Sequence, residues 1–155
     1  MPSFIDYIKS IKEISKSFDL DTTLQLAVDN MYNIFPNYNG SIIFKVEDNR
    51  LWSQTVSMIP KIEKALKYVP QKVNELNIAM DIDSKNLVVQ SILNNKVIQS
   101  NSLSEFTEGA VSTVGSKMIE KILGFKVGIS IPMLKGDEMI GAVFYTKRND
   151  ERFRD

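Results

Sequence analysis

The stretch from Lys126 to Lys147 holds two alternating apolar runs separated by a short charged break, and it constrains the fold more than any other part of the chain. In the first run Val127, Ile129 and Ile131 alternate with smaller residues, and a second run follows the break at 135–138. Side chains that alternate with a period of two are typical of β-strands, and a glycine in a four-residue break favours a tight connection. The stretch therefore predicts a β-hairpin.

Gly128 and Ser130 occupy the second face of the first predicted strand. A glycine inside a strand usually marks a place where another group comes close to the backbone. That group is either a ligand or a packed helix, and the alternation leaves both interpretations open.

The composition excludes several classes of function. The chain of 155 residues has no cysteine and no histidine, which removes thiol chemistry, disulfides, serine–histidine triads and zinc sites built from these residues. Its 19 basic and 19 acidic residues balance, so no net positive field attracts nucleic acid or anionic lipid. No run is apolar enough for a membrane span or a signal peptide, and no catalytic motif is present. We expect one cytoplasmic, non-catalytic domain without a nucleic-acid or membrane partner.

The remaining patterns predict an α+β fold. An amphipathic helix with apolar positions from Phe4 to Phe18 comes first, and a second helix, capped by Asp21, runs to Pro36. The later predicted elements are a hairpin over 41–58, a helix over 60–68, a strand over 75–82, a helix over 86–94 capped by Asp83 or Ser84, an extended piece at 96–99, a loop over 101–108, a helix over 109–123 and the closing hairpin.

The order of these elements resembles that of a GAF domain, the small-molecule sensor module of phosphodiesterases, phytochromes and bacterial signalling kinases. The resemblance rests on Asp19-Leu20-Asp21, on the strand at 40–44 (GSIIF), on 87–101 (LVVQSILNNKVIQSN) and on the final hairpin, and it covers about residues 19–153. A PAS domain is the alternative. PAS domains usually close with three consecutive strands, whereas here a helix separates the extended piece at 96–99 from the last hairpin.

The resemblance implies an antiparallel sheet with the N-terminal helices on one face and crossover helices and loops that enclose a pocket on the other. In the first predicted strand, alternation assigns the bulky residues at positions 42, 44 and 46 to the helix face and the residues at positions 43 and 45 to the pocket face. With the crossover, this gives the predicted ligand-binding residues Ile43, Lys45, Met80, Phe106, Val114, Met118, Gly128, Ser130, Phe144 and Thr146.

Several activities of the family need residues that this chain lacks. Members that bind bilins or reduce free methionine sulfoxide use cysteine, and members that bind haem use histidine, so these three activities are excluded. Members that bind cyclic nucleotides carry an Asn-Lys pair where this chain has Thr146-Lys147, which leaves cyclic-nucleotide binding open. The resemblance implies no covalent cofactor and a small-molecule effector that is bound non-covalently.

Two functions of different class follow. The first is a ligand-sensing regulatory domain of a larger signal-transduction protein, such as a sensor histidine kinase, that relays ligand binding through its terminal helices. The second is a dimerisation and relay module with an empty pocket. In both, residues 1–155 form a single domain: the helix over 1–18 pairs two copies in a homodimer, and the core over 19–155 lacks a closing C-terminal helix, so an output domain is expected beyond it. We expect the segment over 101–109 to be mobile without ligand, with Phe106 as its anchor.

Overall fold

The structure, a computed structural model, describes residues 19–34 and 37–148. Its strands, numbered along the chain, are β1 (Tyr38–Glu47), β2 (Arg50–Val56), β3 (Asn77–Ala79), β4 (Ile98–Ser100), β5 (Val127–Lys135) and β6 (Glu138–Lys147). They form one antiparallel sheet in the order β3-β2-β1-β6-β5-β4, which places two hairpins side by side at the centre. The predicted α+β fold and its closing hairpin are confirmed.

Helices lie on both faces of this sheet. They are α1 (Leu20–Ile34), α2 (Pro60–Leu66), α3 (Leu87–Leu93), α4 (Leu103–Phe106) and α5 (Thr113–Leu123), and a 3-10 turn spans Val73–Glu75. Helix α1 packs on β1 and β2, α3 packs on β5 and β6 from the opposite face, and α5 packs on α2 and α4. We call the segment from α2 to α5 the crossover.

The helix starts differ from the predicted ones by a few residues. The side chain of Asp19, not Asp21, caps α1, because its carboxylate accepts a hydrogen bond of 2.8 Å from the backbone of Thr22. This bond lowers the pKa of Asp19. Asn86 caps α3 in the same way, with bonds of 2.9 Å and 3.3 Å from the next turn. The predicted helix over 1–18 and the predicted stop at Pro36 lie outside the described residues.

Two predicted elements of the middle segment are shorter or shifted. The predicted strand over 75–82 is confined to β3, and the predicted helix over 109–123 begins only at Thr113, where Ser112 caps it through the backbone of Gly115. The loop expected over 101–108 contains α4, whose Leu103 and Phe106 are buried. A single helical turn has too few residues for a readable apolar period, so the sequence does not predict it.

The pairing of β1 with β6 corrects the predicted faces of β1. Ile42 lies opposite Phe144, while Ile43 lies opposite Val143. Residues directly opposite each other share a face, so Ile43 and Lys45 lie on the side of α1 and not on the side of the crossover. The prediction for this strand is wrong because β1 is apolar on both faces, and a shift of one residue exchanges the faces of a strand.

Helix α1 is held on the sheet by a buried polar network. The hydroxyl of Tyr38 lies 3.2 Å from that of Ser57 and 3.4 Å from the carbonyl oxygen of Val28 in α1. The Ser57 hydroxyl also accepts a hydrogen bond of 2.9 Å from the backbone of Ser41. Burial of the Tyr38 side chain raises the pKa of its hydroxyl well above its ordinary value.

This raised pKa predicts a loss of stability in alkaline solution. Above pH ~10 the tyrosine ionises in the unfolded chain but stays neutral in the folded chain, so the free energy of unfolding falls as the pH rises. Between pH 9 and 11 we expect the wild type to lose about 1 kcal/mol more than the Tyr38→Phe variant in urea denaturation. Equal losses for the two proteins would contradict the buried position of this hydroxyl.

Candidate ligand cavity

An apolar cavity of about 100 Å³ lies between the sheet and the crossover. Strands β1, β2 and β6 form its floor through Ile42, Phe44, Leu51, Val56, Phe144 and Thr146. Helix α2 and the turn after it form one wall. The other wall is formed by α4, the loop after it and α5. The walls include Ala65, Val69, Val73, Leu103, Phe106, Val111 and Ile119. The cavity therefore touches every crossover helix except α3.

The polar groups on its walls are already engaged. The Thr146 hydroxyl donates to the carbonyl oxygen of Gly40 at 3.2 Å. The Ser41 hydroxyl lies on the α1 face of the sheet, 3.3 Å from that of Ser57. The Thr107 hydroxyl lies 2.6 Å from the Ser116 hydroxyl. Among the described residues that line the cavity, none carries a charged side chain.

The rings of Phe106 and Phe144 form the end of the cavity next to β5. Their centroids are 4.6 Å apart, and both side chains are buried. They lie directly over Gly128, where an added Cβ atom would come within 2.8 Å of the Phe144 ring and 3.0 Å of the Phe106 ring. The group that comes close to this strand glycine is thus an aromatic pair of the protein itself.

A second set of contacts fixes the segment that carries Phe106. The side-chain amide of Asn86 donates to the carbonyl oxygens of Phe106 and Glu108, both at 2.8 Å, while its oxygen caps α3. The Glu120 carboxylate accepts a hydrogen bond of 2.7 Å from the backbone of Leu103. The predicted anchor, Phe106, is therefore supported by polar contacts at both ends of α4.

The ten predicted ligand-binding residues do not lie together. Phe106, Phe144 and Thr146 line the cavity. Gly128 and Ser130 share its face of the sheet but lie beneath the aromatic pair and α3, where the Ser130 hydroxyl is 2.6 Å from that of Ser91. The other five lie away from the cavity: Ile43 and Lys45 on the α1 side of the sheet, Met80 just after β3, and Val114 and Met118 on the outer side of α5.

The prediction that Val114 and Met118 bind the ligand from the inner side of the helix over 109–123 is wrong. Val114 is 73% exposed, and the side that packs inward contains Gly115, Ser116, Ile119 and Leu123. An added Cβ atom at Gly115 would lie 3.2 Å from the backbone oxygen of Tyr68, in the turn after α2. Small residues bring the two helices close together, so the largest side chains of this turn point outward.

Sequence reasoning missed the hairpin of β1 and β2 as the main floor, together with the turn after α2. The correct phase of β1 would have placed Ile42 and Phe44 on the cavity face, and Val56 follows by pairing with Ile42. The turn carries Val69 and Val73 in an otherwise polar stretch. Isolated apolar residues in a polar loop were the available indication that this loop packs on something.

Ser130 tests the packing beneath α3. Ser130→Phe adds a ring where the wild-type side chain is fully buried, so we expect a loss of about 3 kcal/mol in the free energy of unfolding. Ser130→Ala removes only one hydroxyl contact and should cost about 1 kcal/mol. Chemical denaturation measures both, and a phenylalanine variant as stable as the alanine variant would show open space beside this residue.

Asn86 tests the attachment of α4. Asn86→Asp keeps an oxygen for the cap of α3 but replaces two donated bonds by a carboxylate that faces two carbonyl oxygens, so we expect a loss of about 3 kcal/mol. Ser112→Ala, which removes only the cap of α5, should cost about 1 kcal/mol. Hydrogen exchange should accelerate over 103–111 in the Asn86 variant alone. Equal exchange of this segment in both variants would contradict the proposed attachment.

Among comparisons with known proteins, only those with solved structures find similar proteins, and they identify the fold of this chain. No family model matches the chain, and no curated protein matches it. Among solved structures, the GAF domain of a phosphoenolpyruvate-protein phosphotransferase from Acinetobacter is similar with a TM-score of 0.66 and 11% identity, over 99% of this chain and 83% of that one. The GAF domain of a two-component sensor histidine kinase from Bacillus halodurans is similar with a TM-score of 0.57 and 13% identity, over 89% and 81% of the two chains.

An enzyme shares the same architecture. The type II free methionine-R-sulfoxide reductase from Thermoplasma acidophilum is similar with a TM-score of 0.57 and 14% identity, over 88% of this chain and 82% of that one. Within residues 19–34 and 37–148 the structure contains no group of acidic side chains arranged to hold a metal ion, and no helix there is long and apolar enough to cross a bilayer. The sheet order, the crossover and these similarities together show that the chain has the fold of a GAF domain.

Proposed function

We propose that this chain is a regulatory sensor domain that binds a small molecule non-covalently in the cavity and conveys its occupancy to α1. One observation carries the proposal: the floor of the cavity and the surface that holds α1 are opposite faces of the same two strands. The Val56 side chain lines the cavity, and the Val56 carbonyl oxygen accepts a hydrogen bond of 3.0 Å from Gln25 of α1. A displacement of Val56 in the cavity floor would therefore act directly on a hydrogen bond to α1.

Further bonds join α1 to β2 along the same line. The Thr55 hydroxyl donates to the Gln25 side chain at 2.7 Å, and the backbone of Met58 donates to the Asp29 carboxylate at 3.0 Å. Ser57 adds the buried contact with Val28. Polar contacts of this kind are directional, so a ligand that moves β2 changes the position that α1 prefers.

The setting of the domain extends this proposal. The similar structures include GAF domains of a sensor histidine kinase and of a phosphotransferase, which supports a place in a larger signal-transduction protein with a separate output domain. We assign the domain itself no catalytic step, because the described cavity walls carry no titratable side chain. A homodimer formed through the segment over 1–18, which lies outside the described residues, is the proposed partner arrangement.

A second candidate function is a relay module that binds no ligand. The volume of the cavity favours it, because about 100 Å³ is well below the 300 Å³ or more of common ligand sites. In that case the cavity is a packing defect and α1 responds only to neighbouring domains.

A thermal denaturation screen with a library of polar and apolar small molecules separates the two functions. A ligand present at 100 times its Kd stabilises the folded chain by about 2.7 kcal/mol, which should raise the Tm by about 5 to 10 °C. Ala65→Leu fills the cavity from α2 and should abolish this rise, whereas Ala27→Leu, on α1, should retain it. Hydrogen exchange of α1 should change when the ligand is bound to the wild type.

Two results would contradict the sensor function. A library in which no compound raises the Tm would favour the empty relay module. A compound that raises the Tm of the wild type and of Ala65→Leu equally would bind outside the cavity.

A further inference from the structure

The chemistry of the cavity walls restricts the ligand that the proposed function requires. A polar ligand atom that is buried in an apolar site needs a partner to replace the water that it loses. Here the hydroxyls of Thr107 and Thr146 already bond to protein groups, and the described lining residues carry no charge. A phosphate or carboxylate would therefore be buried without a partner.

The size of the cavity points the same way. An engineered apolar cavity of about 150 Å³, lined by leucine, isoleucine and phenylalanine, stays dry and takes up benzene. The present cavity has about 100 Å³ and a similar lining. This space suits one small ring or a branched hydrocarbon and is too small for a purine nucleotide.

The aromatic end of the cavity gives a ring a preferred position. The rings of Phe106 and Phe144 are tilted by 39°, their centroids lie 4.6 Å apart, and both residues line the cavity. Aromatic groups favour offset or edge-to-face contacts with further rings. Val56, Ile62 and Val69 add branched aliphatic surface to the lining.

We propose that the cavity selects a small, uncharged, apolar molecule of about the size of a single aromatic ring. This inference rests on the proposed function, because it names the ligand class of the same cavity. Recognition comes from shape and from removal of apolar surface from water, so the selectivity is against charge and size and not for a particular polar group.

The test uses the full chain with three probes: toluene, indole and cyclic AMP. Titration is followed by the methyl NMR signals of isoleucine, leucine and valine and by the Tm. We expect toluene to shift the methyl signals of Val56, Ile62 and Leu103 in a saturable way and to raise the Tm, with indole weaker and cyclic AMP without effect.

Variants locate the bound probe. Ala65→Leu should abolish the toluene shifts. Ala110→Leu fills the same space from the opposite wall and replaces the first variant if that variant folds poorly. Circular dichroism shows whether each variant is folded. Val56→Thr keeps the shape of the floor but adds a hydroxyl, and we expect toluene binding to weaken on the order of tenfold. Val143→Thr, the matched change on the α1 face, should leave it unchanged.

Each outcome decides one claim. Saturable toluene binding that is lost in both cavity-filling variants supports the inference. A charged or nucleotide-sized library compound that binds in the cavity while toluene does not overturns the inference and leaves the proposed sensor function intact. Toluene binding that persists in both cavity-filling variants also overturns it. Failure of every polar and apolar library compound to bind overturns the inference and the proposed function together.

Discussion

The hydrogen-bonded register between β1 and β6 is the constraint on which the rest of the structure depends. It places Ile42 and Phe44 on the same face as Phe144, and so decides which face of the sheet forms the floor of the cavity. The backbone of Gly141 lies against the carbonyl group of Phe44, so a side chain at that position would separate the two strands. Because β1 also pairs with β2, the register between β1 and β6 also determines which residues of β2 face the crossover and which face α1.

From this register follows the division of labour between the two faces. On one face apolar side chains meet the crossover, while on the other face Tyr38, Ser57 and Thr55 bond to α1. Apolar contacts tolerate small displacements, but a hydrogen bond weakens steeply when its angle changes. The apolar contacts on the cavity face therefore tolerate small displacements of the strands better than the hydrogen bonds to α1 do.

Sequence reasoning succeeds where local pattern and tertiary packing agree. The alternation from Val127 to Lys147 predicts the closing hairpin, and the capping and breaking residues place most helices within a few positions. It fails for Ile43 and Lys45 because β1 is apolar on both sides. Its own sequence therefore does not indicate which side faces the cavity, and only the pairing with a neighbouring strand decides this. It fails for Val114 and Met118 because the close approach of α2 to Gly115 matters more for the orientation of α5 than the size of its side chains. The cavity depends on both of these tertiary facts, so only three of its lining residues were identified in advance.

The cavity itself carries a cost in the free energy of unfolding. A void of about 100 Å³ in a packed core costs about 2 kcal/mol relative to a filled one. A ligand that filled it, as proposed, would recover this free energy without forming a polar contact, and about 2 kcal/mol corresponds to a change of about 30-fold in an equilibrium constant. A larger residue at Ala65 that filled the space would remove that difference between the empty and the occupied state. The cost of the apolar void between the sheet and the crossover is small against the stability of a domain, so the void is compatible with the proposed regulatory role.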